Sequence, residues 1–192
     1  MSRTFNITAD CKPSLHYMVD ITDRLEKIKK MIDAGQYFTI NRARQYGKTT
    51  TLRALAKYLI QDYVVVSLDF QLMSHKDFAE EGTFVKAFAE AVLRKVSGED
   101  AMPAEIRREL QKLIGDSQEA ALSRLFEILS TWCRISKKPI ILIIDEVDSA
   151  SNNQVFLDFL SQLRGYYIDR DVTPAFQSVI LAGVYDIKNI KR

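Results

Sequence analysis

The residues best suited to chemistry lie together in the segment Arg42-Ala43-Arg44-Gln45-Tyr46-Gly47-Lys48-Thr49. Its last three residues match the phosphate-loop pattern Gly-x-x-x-x-Gly-Lys-Ser/Thr, whose first glycine is replaced here by Arg42. Gly47 has no side chain, so the backbone can close around a phosphate. Lys48 can bridge two phosphates as a point charge. The segment therefore predicts a polyphosphate site, with Lys48 as a candidate catalytic residue.

A helix that starts at this segment would strengthen the site, because the first turn of a helix has unpaired N–H groups and a partial positive charge. The Thr49 hydroxyl is a hard oxygen ligand that can complete the shell of Mg²⁺ beside the phosphates. Thr50 is placed to hold the α-phosphate. The predicted phosphate-binding residues are Arg44, Gln45, Tyr46, Gly47, Lys48, Thr49 and Thr50. Arg42 and Arg44 either reach phosphate or are solvated, and both interpretations stay open.

A second candidate element is the aliphatic run 140–144, which continues directly into Asp145 and Glu146. A buried strand ends in two carboxylates only where its tip enters polar surroundings. Neighbouring side chains of a strand point in different directions, so the two carboxylates can serve different roles. Asp145 is the predicted Mg²⁺ ligand together with Thr49, and Glu146 is the predicted catalytic base that polarises the attacking water. The alternative is an ordinary acidic turn, and Asp148 in the same loop is interpreted as a turn or capping residue.

Four apolar segments predict the strands that position these residues: 37–40, 64–70, 140–144 and 178–182. Apolar residues at helical spacing predict one helix before the first strand, one starting at the phosphate-binding segment, three in the middle third and one after the acidic pair. Gly35 and Gly115 suit helix ends, and Pro103 suits a helix start. Asp116 or Ser117 is the predicted N-cap of the helix that follows. Strands alternating with helices indicate an α/β fold with a mostly parallel sheet flanked by helices.

Composition and charge exclude several classes of protein. Of the 192 residues, 47% are hydrophobic and 27% are charged, which is typical of a globular domain rather than a disordered chain. The net charge of +2 gives no support to a nucleic-acid or membrane surface, although a local basic patch stays possible. No apolar run approaches the roughly 20 residues of a membrane span, so no membrane partner is expected. Two distant cysteines and two histidines suggest no disulfide framework or metal-ligand spacing, and a cytoplasmic location is expected.

At these motifs the sequence resembles the AAA-like ATP-binding proteins of bacteria, within the additional-strand, catalytic-glutamate branch of P-loop ATPases. The resemblance rests on residues 42–51 and 143–148 and covers most of the chain, from about residue 21 to residue 184. It implies a three-layer P-loop NTPase fold with ATP and Mg²⁺ as ligands. The glutamate directly after Asp145 also separates the chain from signalling GTPases and nucleotide kinases, which usually lack it.

The resemblance also implies features around the site. In such proteins the P-loop strand lies beside a later strand, here residues 178–183, whose tip carries a polar sensor. Tyr185 or Asp186 would have to replace the usual Thr, Ser or Asn, and Arg164 is either a sensor or trans-acting arginine or a solvated helix residue. Such proteins continue into a further strand and a helical lid. We therefore expect a surface segment at 1–20 and a C-terminally truncated P-loop domain at 21–192, with the P-loop strand at the sheet edge.

Three functions remain as hypotheses. The first is an Mg²⁺-dependent ATPase, since the Asn-Lys-x-Asp motif of GTPases is missing and ATP is favoured. The second is a non-catalytic nucleotide-dependent switch or scaffold that recruits a protein partner or a second copy of itself. The third is a DNA- or RNA-handling ATPase, which the net charge does not support.

Overall fold

A computed structural model describes residues 21–41, 47–96, 101–116, 118, 120–150 and 152–183. The helices and strands of these ranges are α1 (Thr22–Asp33), β1 (Tyr37–Asn41), α2 (Lys48–Leu59), β2 (Val64–Asp69), α3 (Glu81–Lys95), α4 (Ala104–Gly115), α5 (Leu122–Ile135), β3 (Ile140–Asp145), α6 (Gln154–Ile168) and β4 (Ser178–Gly183). Short 3-10 turns occupy Phe70–Leu72, His75–Phe78 and Val147–Ala150. None of the described helices is both long and apolar enough to cross a membrane. The predicted surface segment 1–20 lies outside the described residues.

The four strands form one parallel sheet in the order β1-β4-β3-β2. The pairing of β1 with β4 ends at Asn41 and Gly183, and the pairing of β2 with β3 ends at Asp69 and Asp145. Among the described strands β1 lies at an edge, beside β4, as the resemblance implies. Because the strands are parallel, their carboxyl ends meet at one edge of the sheet, which is where open α/β sheets bind ligands. The predicted α/β fold with a parallel sheet is confirmed.

Strand β3 is buried on both faces, as its aliphatic run predicts. Ile140, Leu142 and Ile144 pack into a large cluster that includes the phenylalanines of α3, α5 and α6. Ile141 and Ile143 pack into a smaller cluster beneath α1 and α2. All five side chains are at most 1% exposed. The sheet is thus the middle layer between two groups of helices.

Glycine and proline mark helix ends as predicted. Helix α1 ends before Gly35, which has a φ of 67° and donates from its backbone N to the Ile32 carbonyl at 2.9 Å. This left-handed residue closes the helix in the usual way for a glycine after the C-terminus. Helix α4 starts directly after Pro103 and ends at Gly115.

The predicted N-cap of α5 is wrong. Asp116 is instead the C-cap residue of α4, and its Oδ1 accepts a hydrogen bond from the backbone N of Gln118 at 2.8 Å. Helix α5 begins later, at Leu122, whose backbone N donates to Glu81 Oε1 of α3 at 2.6 Å. A distant carboxylate therefore caps α5, because the helix begins too far along the chain for Asp116 to reach it. Ser117, the other predicted cap, lies outside the described residues.

Candidate active site

Helix α2 begins at Lys48, directly above the carboxyl edge of the sheet. Its N-cap is Gly47, whose φ of 69° lies in the left-handed region that glycine adopts without strain. The Gly47 carbonyl accepts hydrogen bonds from the backbone N and the Oγ1 of Thr51, both at 2.8 Å. As at any helix start, the N–H groups before Thr51 have no partner within the helix. This first turn is therefore suited to bind an anion.

The Lys48 side chain joins the start of α2 to the end of β3. Its Nζ lies 2.7 Å from Glu146 Oε1 and 3.1 Å from Asp145 Oδ1. The side chain is only 8% exposed. Burial by itself lowers the pKa of Lys48, but its contacts with Glu146 and Asp145 outweigh that effect and raise the pKa above its ordinary value. Lys48 is thus a permanently charged group, held by two carboxylates.

Thr49 and Asp145 place two oxygen atoms side by side. The Thr49 hydroxyl donates to Asp145 Oδ2 at 3.0 Å, while Asp145 Oδ1 accepts from the backbone N of Glu146 at 2.9 Å. A hydroxyl and a carboxylate are the hard oxygen ligands that Mg²⁺ prefers when phosphate oxygens and water complete its shell. No group of three or more His, Cys, Asp or Glu side chains gathers at a metal-binding distance among the described residues. The donor set fits Mg²⁺ bound jointly with a phosphate rather than a metal held by protein alone.

Glu146 has an unusual backbone conformation. Its φ is 56°, and it is the only described non-glycine residue with a positive φ. For such a residue the left-handed region costs roughly 1–2 kcal/mol. Its carbonyl accepts from the backbone N of Ser149 at 3.2 Å and from the Ser149 Oγ at 2.9 Å, so a short turn holds it in place. Strain of this kind is concentrated at functional sites.

The structure brings together four of the predicted site residues: Lys48, Thr49, Asp145 and Glu146. Gly47 and the half-buried Thr50 lie in the same first turn. The remaining predicted phosphate-binding residues, Arg44, Gln45 and Tyr46, lie outside the described residues together with Arg42, Tyr185 and Asp186.

Arg164, the candidate sensor arginine, is exposed on α6. Sequence reasoning missed two further acidic features of this edge. Asp69 ends β2 in direct register with Asp145, and its Oδ1 accepts from the backbone N of Gln71 at 2.9 Å. The Asp148 carboxylate lies against Gly183 at the end of β4. A signal for the first feature was present, because the predicted strands 64–70 and 140–144 each have an aspartate beside their last residue. No sequence signal points to the second.

Comparison with known proteins is consistent with this geometry. A family model described as an AAA-like domain matches residues 13–187. No curated protein matches the chain. A Walker-type ATPase of Pyrococcus abyssi has a similar structure, with a TM-score of 0.63 and 15% identity over 93% of this chain and 48% of that one. A chain of the Drosophila ORC structure bound to poly(dA/dT) DNA and Cdc6 gives a TM-score of 0.50 and 13% identity over 85% of this chain and 24% of that one.

The two structural neighbours show the fold, and this chain spans about half of the first and a quarter of the second. The family match spans most of the chain and includes both the start of α2 and the end of β3. Together with the lysine and hydroxyl at that helix start, it supports nucleotide binding at this edge of the sheet. The chain belongs to the AAA-like domain family.

Proposed function

We propose that the chain binds ATP together with Mg²⁺ at the start of α2 and hydrolyses it. The observation that carries this proposal is the direct contact between the two motifs. Lys48 reaches Glu146 at 2.7 Å, and Thr49 reaches Asp145 at 3.0 Å. Phosphoryl transfer requires a phosphate-binding group beside acidic residues. Here the start of α2 contacts the acidic end of β3 in that arrangement.

When phosphates bind, they replace Asp145 and Glu146 as the partners of Lys48. Its ammonium is now neutralised by Asp145 and Glu146, and a triphosphate offers it oxygens of higher charge density. The N–H groups of the first turn of α2 supply further donors. The Thr49 hydroxyl and the Asp145 carboxylate would hold Mg²⁺, which supplies positive charge between the phosphates and the acidic edge. The same cluster is thereby converted from a lysine–carboxylate contact into a phosphate site.

Glu146 acts as the general base in the hydrolytic step. Once Lys48 contacts phosphate, the Glu146 carboxylate accepts a proton from a water molecule whose oxygen attacks the γ-phosphorus. The bond to the bridging oxygen breaks, and that oxygen leaves on ADP with the electron pair. Glu146 is 30% exposed, so water has access to its carboxylate.

A phosphate-release assay with ATP and Mg²⁺ tests the proposal. We expect Lys48→Ala to lower kcat/KM at least about 100-fold, because it removes a charge that stabilises the transferring phosphoryl group. Glu146→Gln should lower kcat by about 100-fold or more while ATP still binds. Lys57→Ala on the same helix and Glu90→Gln on α3 change exposed residues and serve as matched controls. Phosphate release that is unchanged by both site variants would falsify this mechanism.

The preference for adenine over guanine is tested separately by thermal unfolding with ATP, with GTP and without nucleotide. ATP at 100 times its dissociation constant should raise the free energy of unfolding by about 2.7 kcal/mol. An equal or larger effect of GTP would contradict the preference for ATP. The expected cytoplasmic location also stays a prediction.

A nucleotide-dependent switch is the second candidate, and one observation favours it. In this structure Lys48 contacts Asp145 and Glu146. Nucleotide binding must therefore separate a buried lysine from its two carboxylate partners. Such a change gives the site two distinct arrangements even without turnover. This candidate predicts tight ATP binding, negligible phosphate release and little effect of Glu146→Gln on the recruitment of a protein partner. Turnover that depends on Glu146 would exclude it.

A further inference from the structure

The carboxylate of Asp148 occupies the space in which a side chain at Gly183 would lie. A Cβ added to Gly183 would be 2.8 Å from Asp148 Oδ1, 2.9 Å from Oδ2 and 3.0 Å from Cγ. The two oxygen atoms thus lie closer than a real Cβ contact allows, and Cγ lies at the limit. The carboxyl group therefore lies directly against Gly183 at the end of β4.

The glycine at this position is required for space and not for backbone conformation. Among the described glycines, only Gly35 and Gly47 have a positive φ. Gly183 is a buried residue of β4, and it pairs with Asn41 at the end of the P-loop strand. Because its backbone is compatible with any side chain, the close approach of Asp148 is the physical reason for a glycine here.

Asp148 belongs to the turn that holds Glu146. The turn Val147–Ala150 starts directly after Glu146, and Ser149 closes it with two hydrogen bonds to the Glu146 carbonyl. The turn therefore follows directly from the end of β3, and it contacts β4 where Asp148 meets Gly183.

We propose that Asp148 is a positioning residue for hydrolysis, which fixes the Glu146 backbone by resting on Gly183. This inference rests on the proposed function, because it gives Asp148 a role in the step that Glu146 performs. The positive φ of Glu146 is not a conformation that this residue adopts by itself, so contacts outside the residue must hold it. The contact across to β4 prevents the turn from relaxing away from the sheet.

The experiment compares four variants of the full chain: Gly183→Ala, Asp148→Ala, their double variant and Asp148→Asn. Gly183→Ala forces the carboxylate outward, and we expect kcat to fall about 10- to 100-fold, since a misplacement of about 1 Å can cost 100-fold. The dissociation constant for ATP, measured by direct titration, should change less than about twofold, because Gly47, Lys48 and Thr49 are untouched. Asp148→Ala should lower kcat similarly, and the double variant should be no worse than Asp148→Ala alone. Asp148→Asn keeps the shape of the side chain and should retain more of kcat than Asp148→Ala.

Gly165→Ala is the matched control, because Gly165 is an exposed glycine of α6 and a Cβ there meets nothing within 4 Å. It should keep kcat and raise the unfolding temperature slightly, as alanine favours a helix. If Gly183→Ala keeps wild-type kcat, or if kcat and ATP binding fall together in all four variants, Asp148 does not position Glu146. These outcomes differ from failure of the proposed function itself, in which the wild-type chain releases no phosphate or Lys48→Ala has no effect.

Discussion

Two lysines of this domain each contact two carboxylates, at opposite ends of the sheet. Lys29, near the amino end of the strands, lies 3.0 Å from Asp33 and 3.4 Å from Asp62. Lys48, at the carboxyl end, lies 2.7 Å from Glu146 and 3.1 Å from Asp145. The distances are similar, but the surroundings are not. The Lys29 side chain is 25% exposed and its partners about half exposed, whereas Lys48 and Asp145 are each 8% exposed.

The difference in burial gives the two clusters different energetic roles. An exposed lysine–carboxylate pair contributes little to stability, because water screens it and ordering the side chains costs entropy. Lys48 and Asp145 have already lost most of the hydration of their charges, and an aliphatic replacement of such a buried pair would often be as stable, whereas Glu146 is 30% exposed. Joining α2 to β3 through the cluster around Lys48 therefore costs free energy that an apolar contact would not cost. Its charges are accounted for if nucleotide phosphates compete for the same lysine.

The largest expected effect is on stability without nucleotide. Lys48→Ala leaves Asp145 and Glu146 close together without their cation, and we expect the free energy of unfolding to fall by about 3 kcal/mol. Lys29→Ala should cost less than about 1 kcal/mol, because its partners are hydrated. Urea unfolding of both variants measures the difference. Equal losses would show that burial does not distinguish the two clusters.

The backbone of Glu146 gives the next effect. Glu146→Gly and Glu146→Ala remove the same carboxylate, but glycine adopts a φ of 56° without strain. We expect the glycine variant to be more stable than the alanine variant by about 1 kcal/mol. At Glu90, in the helix α3, the same pair should show the opposite order, since glycine is unfavourable inside a helix by about 1 kcal/mol. If unfolding curves give the same order of stability for glycine and alanine at both positions, the backbone of Glu146 is not strained.

A third effect, of similar size, concerns the cluster at the amino end and depends on pH. The Tyr63 hydroxyl donates to Asp33, and Lys29 lies over the Tyr63 ring. The Tyr63 hydroxyl and the Lys29 ammonium lower the pKa of Asp33, although burial opposes them. Burial and the Asp33 carboxylate raise the pKa of Tyr63 to about 12. We expect Tyr63→Phe to cost about 1 kcal/mol of unfolding free energy at neutral pH.

This cost should be confined to a window of pH. The contribution of Asp33 is present above its ordinary pKa of about 4 and is lost as the pH falls through the lower folded value. The contribution of Tyr63 is present below its ordinary pKa of about 10 and is lost as the pH rises through about 12. Urea unfolding of wild type and Tyr63→Phe at acid, neutral and alkaline pH measures the gap. A gap that stays constant over this range would mean that the hydrogen bond to Asp33 does not contribute.

Much of the fold follows from patterns that have one physical interpretation. Five consecutive aliphatic residues before Asp145 fit only a segment buried on both sides, and β3 is that segment. The contact between Lys48 and Glu146 also follows from sequence, since a helix start after one parallel strand and the tip of another share an edge of the sheet. Local pattern and topology agree at these residues, which is why the core of the site was predictable.

Contacts set by the packing of distant elements were not predictable. Asp116 has the right residue type for an N-cap, but α5 begins only at Leu122. The Asp116 side chain binds Gln118, and a glutamate of α3 caps α5. The contact of Asp148 with Gly183 depends on how closely a turn approaches the neighbouring strand. Neither spacing nor residue type carries that information in a single sequence. These contacts become visible only when the strand order and register are known.

The place of β1 in the sheet has a consequence for the order of folding. β1 is the first described strand along the chain, yet its partner β4 is the last. β2 and β3 pair with each other, and the helices between them pack on that pair. Pairing of segments far apart in sequence is slow, because a long loop must close first. During synthesis β2, β3 and the helices between them can assemble first, whereas the strand leading into the phosphate-binding turn must wait for β4 to leave the ribosome. If the proposed site is correct, affinity for nucleotide therefore develops only after β4 has been synthesised.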